Sequence, residues 1–180
     1  MARVPYADAS DVPDEHEDLL RSSLQGKPMH VYESIGNNPD VLVGLRSFFG
    51  ALWTDSGLTD RERELVILAV AAEVGSRYEW HQHVNIARDV GIDDAEIAAV
   101  GRGDLASLDD DEGTLLEYAL AVARNEVDAI VHAETAALYD DDAIVGVAAI
   151  AGAYGALAQM IDAFDLELEE GTSFHGWDPR

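Results

Sequence analysis

The chain has 180 residues, 48% of them hydrophobic, with 36 Asp and Glu against 11 Lys and Arg, a net charge of −25 and no cysteine. Such a chain can fill one substantial core, but it cannot build disulfides, thiolate metal sites or a sulfur nucleophile. It also lacks the clustered cations that nucleic acid binding needs.

The carboxylates occur in short clusters, such as Asp109 to Glu112 and Asp140 to Asp142, between long Ala- and Val-rich stretches. That pattern describes a folded protein with an acidic coat rather than a disordered one. Concentrated salt would screen its self-repulsion, so a halophile cytoplasm is the expected setting. The acidic start MARVPYADAS lacks the apolar stretch of an export signal.

In chain order, Pro5, Pro13 and Pro28 predict an irregular arm over 1–37 with a short helix near Asp14 to Leu24. Asn38 and Pro39 open a helix running to about Trp53. Thr59 and Glu62 form a capping-box pair for a helix from Asp60 to about Gly75. Tyr78 to Val90 follows after a tight turn, and Asp93 with Glu96 caps the next helix. Further helices are expected near Asp111 to Arg124, Asp128 to Leu138 and Asp142 to Phe164. Ala143 to Ile161 is free of charge, but acidic flanks and abundant Ala and Gly make it a buried helix rather than a membrane span. With no convincing period-two window, the fold class is all-α, a single-domain helical bundle over 1–180. Within it, 38–125 forms the core, 126–170 the C-terminal helices and 171–180 the tail.

Ionisable residues stand inside the most apolar part of the chain, RERELVILAVAAEVGSRYEWHQHVNIARDVG, from Arg61 to Gly91. Glu79 and His83 are four apart, on one face of a helix. If the chain reverses at Gly75 and Ser76, Glu64 lies about 16 Å and His83 about 11 Å from the turn, so a modest stagger joins them. Converging against apolar walls, such a trio separates the pKa values of its members and can hold a proton donor beside an acceptor. The plainer alternatives are a helix N-terminal carboxylate for Glu64 and a surface ion pair for Glu79 and His83. Glu73 and Arg77 are spaced as a supporting ion pair.

The pattern of a Glu, twelve residues, a turn, and then Y-E-W-x-x-H-V-x-x-A-x-x-x-G-I resembles the carboxymuconolactone decarboxylase family, strongest from about Asn38 to Gly101. That family shares the all-helical fold of alkylhydroperoxidase D. Its peroxidase branch carries a Cys-x-x-Cys pair whose positions fall here on Ser76 and Glu79, while its Glu and His fall on Glu64 and His83. With both sulfurs missing, thiol peroxidase chemistry is rejected.

By resemblance to the decarboxylase branch, the implied activity is cofactor-independent acid–base chemistry on a small lactone, carbonyl or carboxylate compound, with no metal. The resemblance also implies self-association as a homotrimer or homohexamer. The site residues expected are Glu64, Glu79 and His83 for catalysis, with Arg77, Ser76 and Trp80 for substrate binding. The partners expected are a small-molecule substrate and other copies of the chain, with no nucleic acid and no membrane.

Three rival readings remain. A divalent ion on His81, His83, Glu79 and Glu64 is disfavoured because the two imidazoles point about 200° apart on a helix. A polar cluster that only sets subunit register is the second, and a small-molecule carrier the third. Trp53 and Trp80 with Phe48 and Phe49 read as core or subunit contact. Phe174, His175 and Trp177 sit oddly in a polar tail, for which fraying is the default. His16, His30 and His132 are expected to face solvent.

Overall fold

The computed structural model describes residues 1–22, 26–169 and 174–177. Eight α-helices are described: α1 (His30–Ile35), α2 (Pro39–Thr54), α3 (Asp60–Val74), α4 (Arg77–Asp89), α5 (Asp94–Arg102), α6 (Asp110–Arg124), α7 (Ala129–Ala136) and α8 (Asp141–Phe164). Two short 3₁₀ segments, Asp14–Leu20 and Leu105–Ser107, complete the set. No strand occurs among the described residues, and the only bridge is an isolated pairing of Arg21 with Pro28. The fold is all-α, as the periodicity predicts.

Local chemistry places the helix ends. The Asn38 side chain accepts from Val41 N–H at the start of α2, and Thr59 and Glu62 close a reciprocal box at the start of α3. Asp93 and Glu96 do the same for α5. Gly75 ends α3 with φ +74°, a left-handed conformation that costs glycine nothing, and Ser76 N–H then donates to the Ala71 carbonyl. This turn reverses the chain within two residues. Helix α1 was not foreseen from the sequence: six residues are too few to show a period. The short helix foreseen near Asp14 to Leu24 is a 3₁₀ segment that ends at Leu20, where Arg21 turns extended and bridges to Pro28; residues 23–24 lie outside the described residues.

Helix α3 is the axis of the bundle, packed by α4, α8, α6 and α5. Every residue from Arg63 to Ala71 is buried, which is why its sequence is apolar nearly all round. Helix α8 packs against α3 and α6. It is long and apolar enough to cross a membrane, yet Ile144, Val147, Ile150, Tyr154, Leu157 and Ile161 belong to the bundle core. Its small residues serve close approach: a Cβ on Gly146 would fall 1.8 Å from the Ser56 carbonyl oxygen.

The ends of the chain are tied down. Glu169 accepts hydrogen bonds from the Tyr78 hydroxyl (2.5 Å), from the His30 backbone N–H (2.8 Å) and from the Gln82 amide. Arg3 donates to the carbonyls of Asp162 and Ala163 at the end of α8. The tail does not fray at its described residues. Trp177 packs edge-on to Trp80, Phe174 lies over His81, and Gly176 fits against the Ala98 backbone.

His30 is not a free surface residue either, since its ring stacks on Tyr6 and Nδ1 pairs with the Glu167 carbonyl. Glu73 pairs with Arg124 through two contacts of 2.7 Å rather than with Arg77. The reversal at Gly75 puts Glu73 and Arg77 on different helices and so removes their i,i+4 proximity, while the planar Arg124 fork meets both carboxylate oxygens.

Candidate functional site

The turn at Gly75 lays α4 beside α3 and brings Glu64, Glu79 and His83 together. His83 Nδ1 lies 2.8 Å from Glu64 Oε2, and His83 Nε2 lies 3.8 Å from Glu79 Oε2. Relative exposures are 0% for Glu64, 3% for Glu79 and 6% for His83, so the surface-pair alternative does not hold. An ionised carboxylate only accepts, so the proton shared with Glu64 sits on His83 Nδ1 and leaves Nε2 facing Glu79.

Burial and neighbouring charge decide the proton affinities. Burial pushes Glu79 up to about 7, against the pull of His83 and with help from the Glu169 charge. For His83, burial disfavours the imidazolium, but the charge and hydrogen bond of Glu64, together with Glu79, outweigh it and raise the pKa above the usual histidine value. A carboxyl that titrates near neutrality beside an imidazole favouring its charged form is a pair between which one proton can move.

A cavity of about 400 Å³ opens beside this pair. His83 is the one member of the trio on its wall, and Glu64 and Glu79 lie behind it. The Tyr154 ring meets the His83 ring edge-on at 5.2 Å, and the Trp53 ring lies 6.2 Å from it. Tyr32 and Phe49 add further aromatic wall, and Gln82, Arg46 and Arg63 add polar groups. Burial holds the Tyr154 hydroxyl protonated, with its pKa raised well above the ordinary value.

Arg63 lies over the Trp53 ring at 4.0 Å and donates to Asp60 (2.8 Å) and to the Trp53 carbonyl (3.0 Å). Its Nε faces Glu64 Oε1 at 3.6 Å.

The residues expected to bind substrate lie elsewhere. Ser76 is the N-cap of α4, accepting from Glu79 N–H, and lines a different groove together with Arg77. Arg77 is exposed and sits over the Phe174 ring at 4.8 Å. Trp80 is wholly buried against Trp177. Ser76, the N-cap, lies about 10 Å from His83 along the helix axis, Arg77 points about 120° away from His83, and Trp80 is taken up by packing against Trp177. His81 also points away, toward Phe174, and the described residues hold no cluster suited to a metal ion.

Sequence reasoning missed Arg46, Arg63, Tyr32 and Tyr154, and it assigned Trp53 to core or subunit contact. Tyr154 carried a usable signal, as the lone aromatic in the small-residue run from Ala143 to Ile161. Arg63 stands next to Glu64 in the sequence. Arg46 and Tyr32 had no signal, since they reach the cavity from α2 and α1 only through packing.

Residues 39–111 match the carboxymuconolactone decarboxylase family. No curated protein matches the chain. Among solved structures, the chain is similar to an uncharacterized peroxidase-related protein from Ralstonia eutropha JMP134, described as an alkylhydroperoxidase AhpD core. That match has 22% identity, covers 94% of this chain and 93% of that one, and has a TM-score of 0.83.

It is also similar to the debrominase Bmp8 in complex with 2,3,4-tribromopyrrole, at 21% identity, covering 93% and 91%, with a TM-score of 0.81. An uncharacterized peroxidase-related protein from Silicibacter sp. TM1040 matches at 19% identity, covering 97% and 93%, with a TM-score of 0.82. The segment that matches the carboxymuconolactone decarboxylase family model, 39–111, carries Glu64, Glu79 and His83, and the chain around it has the alkylhydroperoxidase D-like all-helical fold.

Proposed function

We propose that this protein is a cofactor-independent acid–base catalyst acting on a small lactone, carbonyl or carboxylate compound, by decarboxylation or isomerisation. The observation that carries this reading is the Glu64–His83 hydrogen bond of 2.8 Å, which holds an imidazole at the wall of a cavity of substrate size. In such a reaction a C–C bond next to a carbonyl breaks with release of CO2, or a C–H bond breaks with its proton passing to the neutral His83 imidazole, and either step leaves an electron pair on carbon. The His83 imidazolium donates the proton that quenches it, and Glu79 returns a proton to the ring. Glu64 orients the ring and favours its charged form. Thiol peroxidase chemistry is not proposed, because the chain has no cysteine.

The test is a screen of lactones and β-keto acids at high KCl with the wild type and with His83→Asn. An enzyme loses turnover by about 10²- to 10⁴-fold, as expected for removal of a general acid, and keeps its assembly size, although unpairing the buried Glu64 lowers its melting temperature. A second reading is a helical oligomer or carrier in which the trio only locks α3 to α4. It is favoured by the placement of Glu64 and Glu79 behind the cavity rather than on it. Under that reading His83→Asn changes subunit number, and no product forms from any compound even with the wild type.

A further inference from the structure

The cavity beside His83 holds two arginines in different electrical states. Arg63 is neutralised: it contacts the Asp60 carboxylate at 2.8 Å and faces Glu64 at 3.6 Å. Arg46 lies 4.2 Å over the Tyr32 ring and has no carboxylate within 4.0 Å among the described residues.

This is notable in a chain with 36 acidic residues. Arg61, Arg63, Arg88 and Arg124 all pair with carboxylates. The arginines Arg77 and Arg102, which also lack a carboxylate partner, are exposed, whereas Arg46 is half-buried and on the cavity wall. A half-buried guanidinium has given up part of its water, and stacking on Tyr32 fixes its plane while leaving N–H donors for a ligand.

The remaining walls define the rest of the ligand. Tyr32, Phe49, Trp53 and Tyr154 surround the space with ring surfaces, which favour a flat, unsaturated body. From this we infer that the cavity is a binding site for a flat organic monoanion, with Arg46 taking its carboxylate and the aromatic walls taking its ring.

The assignment rests on the same cavity as the proposed function but not on turnover. It also moves the anion-binding role from Arg77 to Arg46. It answers how a chain of net charge −25 can accept an anion: the long-range repulsion is screened by salt, and the local field at the cavity is set by one uncompensated cation.

The test is calorimetric titration with benzoate and with benzamide, which have the same flat shape and differ in charge, at a KCl concentration that keeps the chain folded. Benzoate is expected to bind with one-to-one stoichiometry and at least about tenfold more tightly than benzamide, the loss typical of one charge-assisted contact. Arg46→Gln removes the preference. Arg102→Gln changes the net charge equally and leaves the preference intact.

Equal binding of the two probes, or a benzoate preference that survives in Arg46→Gln, overturns the inference. If Arg46→Gln does not fold, the ¹⁵N spectrum of the wild type decides. Benzoate must then shift the Arg46 side-chain resonance more than that of Arg102, and an unmoved Arg46 resonance overturns the inference. Benzoate bound through Arg46 without turnover of any compound would leave this inference standing and remove the proposed function. Turnover with no benzoate preference would do the reverse.

Discussion

Glu64 and His83 stand nineteen residues apart in sequence and 2.8 Å apart in space, on neighbouring helices joined by a two-residue reversal. Glu64 is wholly buried and His83 nearly so, and each depends on the other to offset the cost of burial. Two contributions to stability lose strength with rising pH. Glu79 is raised from 4.5 to about 7, so the folded state holds its proton more tightly than the unfolded state, and stability falls between those values. His83 is raised above 6.5, so its contribution is complete below that pH and is lost as pH climbs through its folded value.

His81 runs the other way, because burial lowers its pKa and stability rises as pH passes through the interval below 6.5. The clean measurement is therefore a difference. Between pH 5 and 7.5, denaturation curves of wild type should lose more stability than those of Glu79→Gln. A variant that tracks wild type across that window would show that Glu79 is not held protonated by the fold.

Glu169 should matter more than a residue near the end of a chain usually does. It collects donors from α1 and from two positions on α4, and so couples the element that carries Tyr32 to the one that carries His83. Glu169→Ala removes these charge-assisted contacts together and should destabilise by about 2–4 kcal/mol. Hydrogen exchange at His30 to Ile35 should accelerate before exchange in α3 does.

At Gly146 the substitution to Ala should be severe although it normally favours a helix. The added methyl would lie 1.8 Å from a backbone carbonyl, and α8 would have to move away from Ser56. A loss of about 1–3 kcal/mol, or more, is expected. Gly152→Ala on the same helix, where an added Cβ would meet nothing within 4 Å beyond its own helix, should be neutral or stabilising. Thermal melts of the two variants check the contrast.

Salt should stabilise the protein. With a net charge of −25, the folded chain repels itself over distances that concentrated KCl screens. The melting temperature should rise from low to molar KCl. A flat response would remove the case for adaptation to a saline cytoplasm.

Helix positions were legible because their causes are local. The capping box at Thr59 and Glu62, the Asn38–Pro39 start and the left-handed Gly75 depend on neighbours within a few residues. The convergence of Glu64, Glu79 and His83 was legible for the same reason, since one short turn and two helical rises place them. Ser76, Arg77 and Trp80 lay near enough in sequence to suggest the same pocket, but Ser76 and Arg77 stand about two turns before His83 and open on another groove, and Trp80 is packed against Trp177.

The sequence by itself thus determined the all-α fold, the acidic coat, the missing sulfur chemistry and the central trio. Only the tertiary structure decided that the cavity beside His83 is walled by Tyr32, Arg46, Trp53 and Tyr154, and that Arg63 pairs with Asp60 while Arg46 meets no carboxylate among the described residues. The physical reason is reach. Caps, turns and periods act over a few residues, whereas a cavity is what remains between side chains from α1, α2, α4 and α8 after the bundle has packed. No short-range pattern encodes that space.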